Sequence, residues 1–305
     1  MTNPHSNRCP LSLLTSLAVL VIAVVICPAG GAQMTSTAPQ PMGAGLKVTS
    51  IAHCGFLFSS GDQKILTDAL IEPEKEWPHD TPSPDLLKKM ELGEPPFDHI
   101  NVVLISHNHS DHHSPASSAR FLLNNPKTVL VTTPEVRWQM EKDIPEFKKF
   151  QSQVIVPDLA WKQSTTLEVN GIKLELARLK HGDDKKWASM VYAAFFDMGG
   201  KKVLFAPASI GYFPEEYKAL GLAQRGIDLA FLGFNLVIQR APGSSEAVLN
   251  TTGIQTIREL IAPKTTVLMH TPLEAKADMD RLLPGVEKQL PGTIWLHNEM
   301  ENRTF

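Results

Sequence analysis

From Leu46 onward the chain carries short runs in which apolar and polar residues alternate, or in which every position is apolar. Alternation with a period of two puts one face of a strand in a core, and an unbroken apolar run puts both faces there. The pattern predicts strands at Lys47–His53, Phe56–Ser59, Lys64–Thr67, Val102–Ser106, Thr128–Thr132, Ile172–Leu179, Val191–Asp197, Lys201–Ala206, Asp228–Leu232, Thr265–His270 and Thr293–His297. Helices are predicted between them at Ser114–Leu123, Pro134–Lys142, Pro214–Leu220, Thr251–Ile261 and Leu273–Gln289; the last follows Pro272 and spaces Leu273, Ala277, Leu282 and Leu283 at roughly helical intervals. Strands interspersed with helices point to a layered α/β domain rather than an all-β sandwich. The stretch from Glu72 to Phe97 contains six prolines and reads as a long loop, either a wall or lid of a binding site or a plain surface excursion.

Ahead of the first strand the pattern changes. Leu11 to Ile26 is apolar apart from Ser12, Thr15 and Ser16, with Arg8 before it and Ala29-Gly30-Gly31-Ala32 after it. This reads as a secretory signal peptide over residues 1–32, an uncleaved N-terminal anchor being the alternative. A lipidated Cys27 is disfavoured because Ile26, not a small residue, precedes it. Residues 33–45 are mostly small or polar and read as a flexible leader, which leaves 46–305 as the folded domain. An exported chain would reach a periplasmic or extracellular compartment with one cysteine, Cys54, because Cys9 and Cys27 lie in the leader peptide. An internal disulfide is then excluded, and Cys54, inside an apolar run, reads as a small buried hydrophobe.

Composition narrows the function classes. The chain is 43% hydrophobic and 20% charged, which excludes a disordered or collagen-like protein. Its 29 Lys and Arg are balanced by 32 Asp and Glu with no block of like charge, so a nucleic-acid partner is not expected. Beyond the N-terminal export segment no membrane contact is expected, and the oligomeric state is left open.

The histidines are unevenly placed. Directly after the apolar strand Val102–Ser106 comes His107-Asn108-His109-Ser110-Asp111-His112-His113. Imidazoles at alternate positions past a strand end can close on one ion, and an Asp and a His on the following turn can reach a second. Nitrogen and carboxylate oxygen are donors that zinc, manganese and iron accept. The competing reading is a histidine-rich helix start capped by Asp111. His113, adjacent to a ligand, would face away from it. His181 and His270 each lie just past a predicted strand, a position that suits a ligand and equally suits a hydrogen-bonded surface residue.

The motif His107-x-His109-x-Asp111-His112 resembles the signature of the metallo-β-lactamase fold superfamily. Ser50–Leu57 followed by Lys64–Asp68, Gly226–Leu232 and Val267–His270 resemble the branch of small metal-dependent hydrolases that includes ascorbate-6-phosphate lactonase. The resemblance implies an α/β fold built as a four-layer αββα sandwich. It also implies one metal held by His107, His109 and His181, a second held by Asp111, His112 and His270, and Asp68 near the site as an orienting partner. Asp111 would also serve in catalysis, orienting the nucleophile or accepting its proton.

One position departs from the superfamily. Where most of its hydrolases have a carboxylate bridging two metals, this chain has Ala208, after Phe205-Ala206-Pro207. Loss of a shared anion leaves two cations less screened and predicts weaker binding of one of them. Asp183 and Asp184, beside His181, are the substitutes nearest in sequence. The expected function is an exported hydrolase that uses one or two divalent ions, zinc first and manganese or iron otherwise. Its substrate would be a small ester, lactone, phosphoester or amide. A β-lactamase proper, an iron-dependent oxygenase and a catalytically decayed binding protein are the alternatives. His53 reads as a buried hydrogen-bonded histidine; Trp77, His79 and Asp80 read as possible substrate contacts, and Trp295 and His297 as structural.

Overall fold

The computed structural model describes residues 44–74, 79–181, 190–207 and 214–305. The readings made for the signal peptide, most of the leader, Trp77, Asp183, Asp184 and Ala208 lie outside these residues. The first half supplies strands β1 (Lys47–Ala52), β2 (Gly55–Ser60), β3 (Gln63–Thr67), β4 (Val102–Ile105), β5 (Val129–Thr132) and β6 (Val154–Ile155). The second supplies β7 (Ser164–Val169), β8 (Ile172–Lys180), β9 (Met190–Met198), β10 (Lys201–Ala206), β11 (Leu229–Gly233), β12 (Ile238–Arg240), β13 (Ala247–Leu249), β14 (Thr265–Met269), β15 (Thr293–Trp295) and β16 (Asn302–Thr304). The helices are α1 (Pro84–Leu92), α2 (Pro115–Asn124), α3 (Pro134–Asp143), α4 (Phe147–Phe150), α5 (Pro214–Lys218), α6 (Thr251–Thr256) and α7 (Lys276–Gln289).

Two seven-stranded sheets result, in the orders β16-β1-β2-β3-β4-β5-β6 and β15-β14-β11-β10-β9-β8-β7, with β12 and β13 forming a separate ribbon. The period-two alternation of the sequence is what stacks them. Phe56, Phe58, Val102 and Leu104 of the first sheet share one buried cluster with Leu174, Tyr192, Phe205, Phe231 and Val267 of the second. The alternate residues Leu57, Val103 and Ile105 turn to the opposite face, where Leu86, Met90, Phe121 and Met140 of α1 to α3 cover them. On the second sheet Leu204, Ala230, Leu232 and Leu268 do the same beneath Tyr217, Ile254 and Met279 of α5 to α7. Helices, sheet, sheet, helices is the expected four-layer αββα sandwich.

All eleven predicted strands are present. The helix predicted over Thr251–Ile261 begins as α6 and continues as a π turn over Ile257–Ile261. The Glu72–Phe97 stretch is not a continuous loop, because α1 lies within it. Ser83 caps α1 by accepting from Leu86 N, Pro84 opens it, and Gly93 ends it at φ 66°, a left-handed conformation in which a β-carbon would be strained. β7, β12, β13, β16, the two-residue β6 and the single turn α4 carry no strong periodicity and were not predicted. β16, wholly exposed, is recruited by pairing with Lys47–Thr49.

Strand direction places the site. β1 and β3 are both antiparallel to β2, and β4 is parallel to β3, so β1, β3 and β4 end at one edge of their sheet. β8 and β10 are both antiparallel to β9, and β10, β11 and β14 are parallel, so β8 and β14 also end together. Ligand sites of α/β sheets lie beyond such carboxyl ends. A backbone hydrogen bond from Tyr192 N on β9 to Ser106 O, 3.0 Å, ties the two sheets beside the histidine motif.

Candidate metal centre

Five strands of this edge deliver the polar residues. β1 is followed by His53, β3 by Asp68, β4 by Ser106 and His107, β8 by His181, and β14 by His270. His107 to His113 form a tight turn closed by His112 N and His113 N donating to His109 O at 3.0 and 2.9 Å. Ser114 then caps α2 by accepting from Ser117 N. Three non-glycine residues of the site, His53, Asp68 and His270, have φ of 45°, 39° and 61°. A β-carbon makes this region unfavourable, and residues held there cluster at functional sites.

The structure brings together all six residues singled out in the sequence, in two groups. His107, His109 and His181 offer ring nitrogens that all lie within 4.8 Å of one another. Their ring centroids are 4.5 to 4.7 Å apart, and His181 Nε2 is 3.2 Å from His109 Nδ1. In the second group the Nε2 atoms of His53, His270 and His112 surround Asp111 Oδ2 at 3.1, 3.3 and 3.5 Å. The rings of His107 and His112, 4.1 Å apart, join the two groups.

Asp68, fully buried, anchors both groups. Its Oδ1 accepts from Ser106 N at 2.8 Å, and its Oδ2 accepts from Ser106 Oγ at 2.6 Å and from His112 Nδ1 at 2.7 Å. With its hydroxyl proton given to Asp68, Ser106 Oγ accepts from His107 Nδ1 at 2.9 Å. One carboxylate thus engages Nδ1 of His112 directly and of His107 through Ser106, and so fixes the orientation of two imidazoles with Nε2 left for the site. Histidine ligands of metals are oriented in this way. His107 Nε2, His112 Nε2 and His181 Nδ1 are buried and have no hydrogen-bond partner among the described residues. Buried polar atoms are rarely left so, and unpartnered imidazole nitrogens within these two histidine groups fit metal binding. Imidazole with carboxylate is a donor set for zinc, iron or manganese.

Electrostatics agree. Burial, reinforced by neighbouring rings, holds His107 well below the usual histidine range, and it pushes His109 down to about 4 and His181 to about 3. These rings are therefore neutral at neutral pH, each with one nitrogen free of a proton. Burial opposes a charge on His112, yet Asp111 and Asp68 on either side outweigh it and raise that ring to about 10. Burial likewise opposes ionised Asp111, but His112, His270 and His53 hold its carboxyl well below the usual range. This pocket favours a positive charge. Cys54 is also within 4.8 Å of His53, His112 and His270, but burial, with Asp68 and Asp111 adding to it, keeps its thiol protonated, and it packs in the core between the sheets.

A pH effect follows for chelator-treated protein. The unfolded chain takes protons on His109 and His181 as pH falls below about 6.5, whereas the folded chain does not until about 4 or 3. The unfolded state binds more protons in that window, so stability is full above it and declines as pH falls through it. The midpoint of urea unfolding should be lower at pH 5 than at pH 7, and equal midpoints would contradict the assignment of neutral, buried rings.

Supporting residues lie around the centre. Glu216 of α5 accepts from Lys180 N, next to His181, at 2.7 Å and from Trp161 Nε1 at 2.8 Å. His113 faces away, 3.3 Å from Gln139, and Gln139 Nε2 donates to Asn108 O. Of the possible substrate contacts, His79 lies with its ring 5.5 Å from His53, and Asp80 pairs with Lys276. His297 stacks on Trp295 at 3.7 Å. His53 is buried and hydrogen-bonded, as expected, but its partner is Asp111, which puts it inside the site. The reading of the sequence missed that.

Comparison with known proteins now bears on the centre. A family model described as a beta-lactamase superfamily domain matches residues 64–271, from β3 through His270. The chain belongs to this family. Among solved structures it is similar to a possible metal-dependent hydrolase from Veillonella parvula, at 15% identity and a TM-score of 0.55, covering 86% of this chain and all of that one. It is also similar to an isothiocyanate hydrolase from Delia radicum gut bacteria, at 17% identity and a TM-score of 0.53, covering 85% and 99%. A diiron β-hydroxylase from Streptomyces venezuelae shares the fold at 16% identity and a TM-score of 0.50, covering 87% of this chain and 55% of that one. No curated protein matches the chain. At these identities the structural likeness establishes the metallo-β-lactamase fold.

Proposed function

We propose that the chain is an exported, metal-dependent hydrolase acting on a small ester, lactone, phosphoester or amide. The observation that carries the reading is the convergence of His107, His109 and His181, from two sheets, as neutral rings with nitrogens within 4.8 Å of one another. In this reading these three hold one divalent ion, and Asp111, His112 and His270 belong to a second, with zinc the first choice and manganese or iron the alternatives. A divalent metal bound there acidifies water toward neutral pH and polarises a carbonyl or phosphoryl oxygen. Asp111 is the catalytic carboxylate. Held well below the usual range, it is a poor store for a proton, so its role is to orient the nucleophile through a hydrogen bond. Asp68 keeps His112 and, through Ser106, His107 in the orientation that presents Nε2.

The test is hydrolysis of a p-nitrophenyl ester, a lactone, bis-p-nitrophenyl phosphate and nitrocefin by metal-loaded protein. Turnover of at least one, abolished by chelator and restored by zinc or manganese, is expected. Turnover of nitrocefin alone would make it a β-lactamase, and no turnover by fully loaded protein would leave a binding protein. The same fold also carries a diiron hydroxylase, so copurifying iron with oxygen consumption would favour an oxygenase. Export rests on the apolar stretch Leu11–Ile26 and the small residues behind it, and a mature N-terminus other than Gln33 would count against the predicted cleavage. Among the described residues no helix is long and apolar enough to cross a membrane.

A further inference from the structure

We infer that His53 is a ligand of the second cluster. With His112, His270 and Asp111 it encloses one ion by four protein donors, leaving the three-histidine cluster as the one with an open coordination position. This rests on the metal-dependent reading above and assigns the two clusters different work.

Donor spacing is the first support. In a tetrahedral zinc site with bonds of roughly 2.0–2.1 Å, neighbouring donor atoms are about 3.3 Å apart. Asp111 Oδ2 lies 3.1, 3.3 and 3.5 Å from the Nε2 atoms of His53, His270 and His112, so three edges of such a tetrahedron are already drawn. The imidazole nitrogens of His53, His112 and His270 meet the same mutual limit of 4.8 Å as those of the first cluster. The side chain of His53 is 2% exposed.

The backbone gives the second support. His53, in the turn between β1 and β2, and His270, after β14, sit in the left-handed region, and His270 N donates to His53 O at 3.3 Å. Asparagine or glycine is the usual occupant of that conformation. Here two histidines occupy it, joined across the two sheets, with ring centroids 4.4 Å apart. The strain is spent on aiming two imidazoles at Asp111.

The third support is the donor count. Ala208 stands where a bridging carboxylate is expected, so among the described residues Asp111 is the one carboxylate that meets the Nε2 atoms of the second cluster, and the ion needs a further donor. A third imidazole supplies it. Sites closed by four protein ligands are structural, whereas catalytic sites keep three and leave a position open. The cluster of His107, His109 and His181 has three. Substrate chemistry is thus assigned to the first cluster, with the second ion fixing Asp111 and the charge beside it.

Zinc content and affinity test this in wild type, His53→Asn and His107→Ala. Asparagine tolerates the positive φ, so it keeps the backbone conformation of the turn while removing the Nε2 donor. Two zinc ions per wild-type chain are expected, with the second weakened in His53→Asn by more than about 100-fold, beyond the loss a merely orienting residue gives. A smaller weakening overturns the inference. One ion in wild type also overturns it but leaves the hydrolase reading standing, whereas no ion overturns both. Should His53→Asn fail to fold, X-ray absorption of zinc-loaded wild type decides. Three imidazoles per ion on average is the expected result, and two and a half would exclude His53. Cobalt-loaded His107→Ala should show no thiolate charge-transfer band; such a band would put Cys54 in place of His53.

Discussion

Replacing His107 with alanine should abolish hydrolysis and remove the ion of the first cluster. The ring is fully buried at the end of β4, its Nδ1 is committed to Ser106, and its Nε2 faces His109 and His181. Metal-assisted polarisation contributes several kcal/mol to a hydrolytic transition state, and each 1.4 kcal/mol is tenfold in rate, so kcat/KM should fall by about a thousandfold or more. Because a buried ring is deleted, His109→Ala serves as the companion variant: His109 is half-buried, and its loss disturbs packing less. Both variants should keep the circular dichroism of the wild type. Turnover within tenfold of wild type in a folded His109→Ala chain would show that the cluster is not where the reaction occurs.

Asp68→Ala should damage stability and metal binding together. The carboxylate accepts three hydrogen bonds in a place with no access to water, from Ser106 N, Ser106 Oγ and His112 Nδ1. Removing it strands three buried donors, one of them on the ring that Asp68 and Asp111 together hold charged. Breaking a buried charged pair costs about 3–5 kcal/mol, a large part of the stability of an ordinary domain. The same residue orients one ligand of each cluster, so metal affinity should drop by roughly 10- to 100-fold even where the chain still folds. Urea unfolding of metal-free protein reads the first effect, and competition with a chelator reads the second. An unchanged unfolding midpoint would mean that the buried network is not formed.

The parts of the fold that were legible in the sequence are those in which both faces of a strand are buried. Phe56-Leu57-Phe58 and Val102 to Ile105 are apolar at every position because one set of side chains meets the opposite sheet and the other meets helices. β7 and β16 were not legible because they are edge strands. β7 exposes alternate polar residues, and β16 owes its strand conformation to pairing with β1 rather than to its own composition. α1 was hidden by the prolines around it, although Ser83-Pro84 at its start and Gly93 at its end were available as capping signals.

The site divides along the same line. His107 to His112 were legible because four donors crowd into one turn after one strand. His181 and His270 are lone residues at strand ends, and the resemblance to a known superfamily was needed to connect them. His53 escaped because its proximity to Asp111 is made by two long-range facts, the turn between β1 and β2 and the backbone bond from His270 on the other sheet. Neither leaves a local trace. A histidine at the end of the predicted strand Lys47–His53, two residues before Gly55, was the only available hint.

The central claim is that the histidine-rich strand ends form a metal centre, and metal analysis of protein purified without chelators tests it most directly. At least one tightly held divalent ion per chain is predicted in wild type, and one ion fewer in His107→Ala. Substoichiometric metal that excess zinc does not raise, in a folded chain, would contradict it.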